Sequence, residues 1–346
     1  YQDVNSTQIE LIDQLKSPNL FCVGDPRQSI FGWRGSDIKY ILQFEDKYPD
    51  CELITLTRNY RSTKHIVQLI NKSIKTMGLA DLDSEIEGNK DTKLLKFDSE
   101  STEFEFVIQR ISATDLPRNE IFVLARTNRQ LTELSQILKL RGIKHLIRSD
   151  DTRKDIIAKE DEFTLATIHA IKGLEAKMVF VIGCHGSNFP CKGSEHPVVD
   201  MIKVDEYDKE EEERRLFYVA MSRAREHLYL SYSGKAPTYF INEEMLGLID
   251  QNKTTKVQKA VPVLKNQLAS KYKKSGDLLT RLKEWRRDLS RQLGTPAFII
   301  MHDSTLIQIA SNPPLTAPEL AKIKGMGPTK IMRYGEDILQ IVNGVS

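Results

Sequence analysis

The feature that most constrains this chain is a regular alternation between residues 94 and 232. Short apolar runs recur at Leu94 to Phe97, Ile121 to Ala125, His145 to Arg148, Phe163 to Thr167, Met178 to Ile182 and Leu228 to Tyr232. Their length and their β-branched and aromatic content are those of strands. Between them, Thr102 to Ile111, Leu131 to Leu140 and Arg214 to Ala224 repeat apolar residues at the helical period, and Gly142 stands where the second should stop. Strands joined through helices need crossover connections. The pattern therefore predicts α/β architecture, a parallel sheet with helices on both faces. Active sites in such sheets are expected at the carboxyl ends of the strands.

Upstream, Gln8 to Leu15 and Ile38 to Phe44 read as helices, and Asn19 to Val23 and Glu52 to Leu56 as short strands. Ser62 is placed to cap a helix carrying His65, Ile66, Leu69 and Ile70. The polar, acidic stretch from Gly78 to Thr92 reads as a loop. Beyond Tyr232 the texture changes. Lys235 to Ser275 shows no strand period, and Lys253 to Arg291 is rich in lysine and arginine. Short helices are expected at Leu278 to Leu293, Ala297 to Met301, Ser304 to Ala310, Ala317 to Ile323 and Thr329 to Val342, punctuated by prolines and by Gly325-Met326-Gly327-Pro328. This is a separate, small all-α domain.

Composition narrows the function. The net charge is +2, so any nucleic-acid surface must be local. No apolar run is long enough to span a bilayer. The four cysteines (Cys22, Cys51, Cys184, Cys191) suggest no disulfide framework, so a reducing cytoplasm is expected. Cys184, His185, Cys191 and His196 match no usual zinc spacing, and no metal site is expected. The chain opens Tyr1-Gln2-Asp3, without an initiator methionine and at once in patterned sequence, as a fragment cut inside a domain would.

Two stretches carry chemistry. In Val23 to Gly35 an apolar run ends in a tight turn that presents Gln28, an aromatic pair with Trp33, and Arg34. A glutamine there could orient water against a phosphate. Trp33 beside Arg34 could stack on a nucleobase and hold its phosphate, or Trp33 could plug a core. In Glu210 to Leu230 an acidic run opens an amphipathic helix that leads to Arg223 and Arg225. An arginine at a fixed point suits a phosphoryl-transfer transition state; a solvated charged helix fits the pattern too. The run Asp205 to Glu213 reads as a solvated face and helix start, favoured by the helix dipole.

With Asn59-Tyr60-Arg61-Ser62 and Thr167-Ile168-His169-Ala170-Ile171-Lys172-Gly173-Leu174-Glu175, these stretches resemble the superfamily 1 DNA helicases of the UvrD/Rep type. Tyr1 to Asn5 with Gln8 looks like the second half of that family's magnesium-binding motif. Val23 to Gly35 looks like its third motif, Leu56 to Ser62 its fourth, Leu124 to Asn128 the extra motif after it, Thr167 to Glu175 its fifth and Glu212 to Arg223 its sixth. The resemblance implies RecA-like folding and a role for each matching residue. Gln28 would sense the γ-phosphate and its attacking water. Tyr60 would stack on adenine. Arg61 and Arg223 would be arginine fingers. Glu175 would bond the ribose, with Gly173 allowing close approach. Trp33, Arg34, Arg126, Asn128, Thr167 and His169 would touch single-stranded DNA. Implied cofactors are ATP and Mg2+, the ion's ligands lying mostly upstream.

Two departures qualify the likeness. No Gly-x-x-x-x-Gly-Lys-Ser/Thr loop occurs, and the Asp-Glu pair expected before Tyr1 is absent, so this chain alone is expected not to hydrolyse ATP. Only Ser149 to Glu162 stands where relatives carry a large accessory domain. The C-terminal helices resemble an HRDC domain through Leu278 to Arg287, Pro296 to Leu306 and Leu320 to Tyr334. There Lys324 and Lys330 flank a Gly-Met-Gly turn whose amides could grip a DNA phosphate, or which could be structural. The expected organisation is a remnant of a first RecA-like domain (1–58), a second RecA-like domain (59–240), a basic linker (241–275) and an HRDC domain (276–346). The expected activity is that of a 3′→5′ translocase acting on single-stranded and forked DNA, cytoplasmic or nucleoid-associated, with repair or replication proteins as partners. The rival is a non-catalytic DNA-binding module.

Overall fold

A computed structural model describes residues 1–17, 19–88, 91–149, 156–191, 208–252, 277–293 and 297–343. The chain forms two compact units, Tyr1–Ser135 with Lys144–Val257, and Gln136–Ile143 with Gln258–Ser346. Most of the expected basic linker, 253–275, lies outside the described residues, as do His196, residues 150–155 and the start of the acidic run at 205–207.

The first unit is built on β1 (Thr92–Phe97), β2 (Ile121–Ala125), β3 (His145–Arg148), β4 (Phe163–Thr167), β5 (Ala176–Val181), β6 (Ala224–Ser233) and β7 (Asp250–Asn252). The order is β3-β4-β2-β5-β6-β1-β7, and every neighbouring pair is parallel. Every residue of β2 and β4 is buried, as a sheet covered on both faces requires. Alternation within the strands divides the cover. Val179, Val181, Leu228 and Leu230 share a core with Ile66, Leu69 and Ile70 of α4 (Lys64–Ser73) and Leu216 to Met221 of α7 (Lys209–Met221). On the other face Tyr229 stacks on Phe180, centroids 5.0 Å apart, and meets Phe106 of α5 (Glu100–Ser112). The remaining helices of this unit are α1 (Ser6–Leu15), α2 (Lys39–Leu42), α3 (Phe44–Lys47) and α8 (Glu243–Leu246), with α6 (Asn128–Leu140) up to Ser135, its later residues falling in the second unit.

Several expectations are corrected. Asn19 to Val23 and Glu52 to Leu56 join no ladder among the described residues, and Phe21 is 89% exposed. A strand exists only where a neighbour takes up its backbone groups, and an apolar run cannot specify that neighbour. Ser62 caps nothing: Thr63 holds the N-cap position, and the Ser62 hydroxyl donates to the Ala224 carbonyl at 2.6 Å. The helix expected at Ile38 to Phe44 is two short ones, broken at Gln43. β7, which carries no apolar period, is an edge strand paired in parallel with β1. Helix α7 ends at Met221, so Arg223 follows the helix and precedes β6.

The second unit packs α9 (Leu278–Leu293), α10 (Ala297–Ile300), α11 (Asp303–Ser311), α12 (Ala317–Leu320) and α13 (Pro328–Asn343) around Leu282, Trp285, Leu306, Tyr334 and Ile338. Trp285 Nε1 donates to Asp337 at 3.4 Å. Met326 is buried in the same core. Gly325 has φ +94°, and an added Cβ would meet Thr305 Oγ1 at 2.4 Å, so that turn has a structural demand of its own.

Candidate nucleotide and nucleic-acid site

The residues singled out in the first unit gather at opposite ends of the sheet. At the amino ends of β5 and β6, Asn59 Oδ1 accepts from the amides of Arg61 and Ser62, each at 2.9 Å. That turn leaves Tyr60 79% exposed. Arg61 Nε donates to the Glu175 carboxylate, and Nη1 reaches the Ser222 carbonyl at 3.4 Å. Gly173 has φ +90° with open space where a Cβ would stand. Arg223 is only 1% exposed, yet its partners are neutral: Nε donates to Val219 O at 3.0 Å, Nη1 to Leu174 O at 3.2 Å and Nη2 to Ser222 Oγ at 2.9 Å. Burial, then the neighbouring Arg61 charge, pushes its pKa down to about 10, so it stays charged at neutral pH. Gln28 donates to Asp25 at 2.8 Å, and its carbonyl accepts from Lys172 at 2.7 Å.

At the carboxyl ends of β2 and β4, Trp33 meets His169 edge-on with centroids 6.2 Å apart, and Phe31 lies 6.0 Å from His169. The Arg34 guanidinium sits 4.4 Å from the Trp33 ring centroid. Trp33 is 42% exposed, so it does not plug a core. His169 is pushed down to about 4, by burial first and then by Arg126 and Arg34, and is neutral at physiological pH. Arg126 forks onto Glu213, Nε at 3.0 Å and Nη2 at 2.5 Å. Thr167 closes β4, and its hydroxyl accepts the Ala170 amide at 3.3 Å. Asn128 is the first residue of α6. Lys324 and Lys330 belong to the second unit; Lys324 is exposed and its carbonyl accepts from Thr305 at 3.2 Å, and Lys330 stands in the first turn of α13.

The candidate residues were expected at the carboxyl ends of the strands, and the structure places them at both ends of the sheet. The reason is topological. A crossover helix runs antiparallel to its strands, so α7 starts near the carboxyl end of β2 (Glu213 on Arg126) and delivers Arg223 to the amino end of β6. The eight residues 168–175 likewise return the chain from the end of β4 to the start of β5.

The sequence did not single out Lys172, Glu212, Glu213 or Arg215. Lys172 bridges Asp3 at 2.6 Å and the Gln28 carbonyl. Glu212 and Glu213 are buried, which corrects the solvated reading of the acidic run at its end. The available signal was position: both lie one helical turn before the apolar Leu216 and Phe217, on the covered side.

The arginines and Gln28 suit a polyphosphate. The residues do not make a magnesium site: Asp3 is paired with Lys172, and no group of three or more metal-binding side chains occurs among the described residues.

Comparison with known proteins places the chain by its domains. The UvrD-like helicase C-terminal domain matches residues 54–152 and 143–235, just over half of the chain. The UvrD/REP helicase N-terminal domain matches 1–49, and the HRDC domain matches 275–342. The ATP-dependent DNA helicase UvrD2 of Mycobacterium tuberculosis is 24% identical over 468 residues, covering 99% of this chain and 66% of its own length. The ATP-dependent DNA helicase PcrA of Staphylococcus epidermidis is 38% identical over 156 residues, covering 42% of this chain and 21% of its own. PcrA of Staphylococcus aureus is 52% identical over 77 residues, 22% of this chain and 10% of its own length. The chain thus spans at most about two-thirds of these relatives. From its matched domains, in the order these motifs predict, the chain belongs to the UvrD-like helicase family and carries an HRDC domain at its C-terminal end.

Proposed function

We propose that the chain is the C-terminal part of an ATP-dependent 3′→5′ DNA helicase, coupling ATP hydrolysis to movement along single-stranded DNA. The observation that carries the reading is Arg223. A buried guanidinium bonded only to neutral oxygens, beside a second arginine, is costly in a fold unless an anion completes it. A nucleotide γ-phosphate would be that anion, with Arg61 and Arg223 as its ligands. Gln28 would orient the attacking water, Tyr60 would stack on the base, and Glu175 would turn to the ribose beside Gly173. ATP supplies the driving reaction, and Mg2+ would be held chiefly by residues outside this chain. Trp33 with Arg34 and His169 would form the base-stacking platform, and Arg126, Asn128 and Thr167 would line the strand's path. In the second unit Lys324 and Lys330 would add phosphate contacts. The polarity rests on the family.

The test is Arg223→Ala in a helicase that joins these residues to a phosphate-binding loop. ATP should still bind, while turnover falls at least ~10²-fold, a floor set below the roughly 10³–10⁵ that arginine fingers supply. Near-normal turnover refutes the assignment. DNA binding is tested with the chain itself: affinity for an oligothymidylate should fall as salt rises.

A further inference from the structure

Helix α7 carries three charged side chains that are buried, Glu212, Glu213 and Arg215. Buried charge is tolerated only when bonded, so their partners are informative. Glu213 holds Arg126. The other two grip one short backbone segment. Arg215 Nε donates to the Ser29 carbonyl at 2.7 Å, and Glu212 Oε2 accepts the Gly32 amide at 2.9 Å. The grips are three residues apart on the helix and three apart on the segment, and between them lies the fully buried Ile30. Gly32 opens the 3-10 turn Gly32–Arg34, which contains Trp33. The first amides of any such turn lack partners within it, and here no local side chain caps it. Glu212, 180 residues away in sequence, supplies the acceptor. From Glu212, helix α7 runs on about 15 Å, ten residues at the helical rise, to Ser222, which Arg223 follows.

We infer that Glu212 and Arg215 are positioning residues for DNA binding. They clamp the Trp33 turn to α7, so that the aromatic platform and the arginine that follows the helix ride on one rigid element. The inference rests on reading Trp33 as a base platform, and the test separates the two. The chain has two tryptophans, so 5-fluorotryptophan labelling gives two 19F resonances, that of Trp33 being assigned by Trp33→Phe. Without any ligand, Glu212→Ala should displace or split the Trp33 resonance and leave that of Trp285 in place. Glu212→Gln keeps an oxygen that can accept the Gly32 amide and should restore it. An unmoved Trp33 resonance in Glu212→Ala, or a Gln variant as displaced as the Ala variant, overturns the clamp. If Glu212→Ala fails to fold, Arg215→Lys against Arg215→Met poses the same question: the lysine should hold the Trp33 resonance and the methionine should release it, and identical spectra for the two overturn the clamp.

Oligothymidylate binding gives the second readout. Glu212→Ala should weaken it about tenfold, the worth of one hydrogen bond, and Glu212→Gln should recover most of that. If Trp33→Ala leaves the affinity unchanged, the platform reading fails, while the ligand-free spectra still decide the clamp.

Discussion

At the scale of single residues, buried charges show how closely this fold ties stability to its candidate site. Arg126 and Glu213 form a forked pair whose side chains are 20% and 6% exposed. Removing one partner strands the other in a poorly solvated place. Glu213→Ala is expected to lower unfolding stability by about 2–4 kcal/mol, read by urea denaturation, somewhat less than a fully dry pair because Arg126 keeps some contact with water. Glu103 gives a pH signature. Its carboxyl accepts from the Gly183 amide at 2.8 Å and from Ser231 Oγ at 2.5 Å, and burial pushes its pKa up to about 7. The folded state then holds a proton that the unfolded chain has released between about pH 4.5 and pH 7. Stability therefore falls as pH rises through that window and levels off above it. Glu103→Gln should flatten this dependence, an effect on the order of 3 kcal/mol across the window, measured by denaturation at a series of pH values.

At the scale of elements, two glycines with positive φ bracket β5 and answer different demands. Gly183, φ +67°, follows the strand, and an added Cβ would come within 2.1 Å of Gln130 Nε2 and 2.6 Å of Asn188 Nδ2. Gly173, φ +90°, precedes it and faces open space. Gly183→Ala should cost about 2–4 kcal/mol through backbone strain plus overpacking. Gly173→Ala should cost only about 1–2 kcal/mol, from the backbone alone. Thermal unfolding of the pair checks the ranking; equal losses would mean that the Gln130 and Asn188 side chains yield without cost. Element boundaries follow the same logic. β2, β3 and β4 lie where the apolar runs place them, since each run is bounded by turn residues or by a change of period. Helix α7 stops at Met221, short of the expected Ala224, which instead opens β6.

At the scale of the whole molecule, each unit has its own core, so a core deletion should register in the unit that holds it. Trp285 is fully buried in the helical unit. Trp285→Ala should destabilise that unit by about 3–5 kcal/mol. Hydrogen exchange should then show the amides of α9 and α13 losing protection while those of β2 and β5 keep theirs. Loss of protection in all four would contradict separate cores.

The sequence by itself determined the α/β class, the parallel sheet, the all-α C-terminal domain and the family. All of these rest on periodicity and on short motifs whose residues are near neighbours in the chain. Only the tertiary structure decided that, among the described residues, Asn19 to Val23 and Glu52 to Leu56 join no ladder. It alone separated the candidate residues to the two ends of the sheet, and it alone put Glu212 on Gly32 and Lys172 on Gln28. The physical reason is range. A helical or strand period is written in consecutive residues, whereas a hydrogen bond between positions 144 or 180 residues apart is set by where crossover connections return the chain. Charge adds to the ambiguity: Glu210 and Glu212 read alike in sequence, yet one is exposed and the other is buried against a backbone amide.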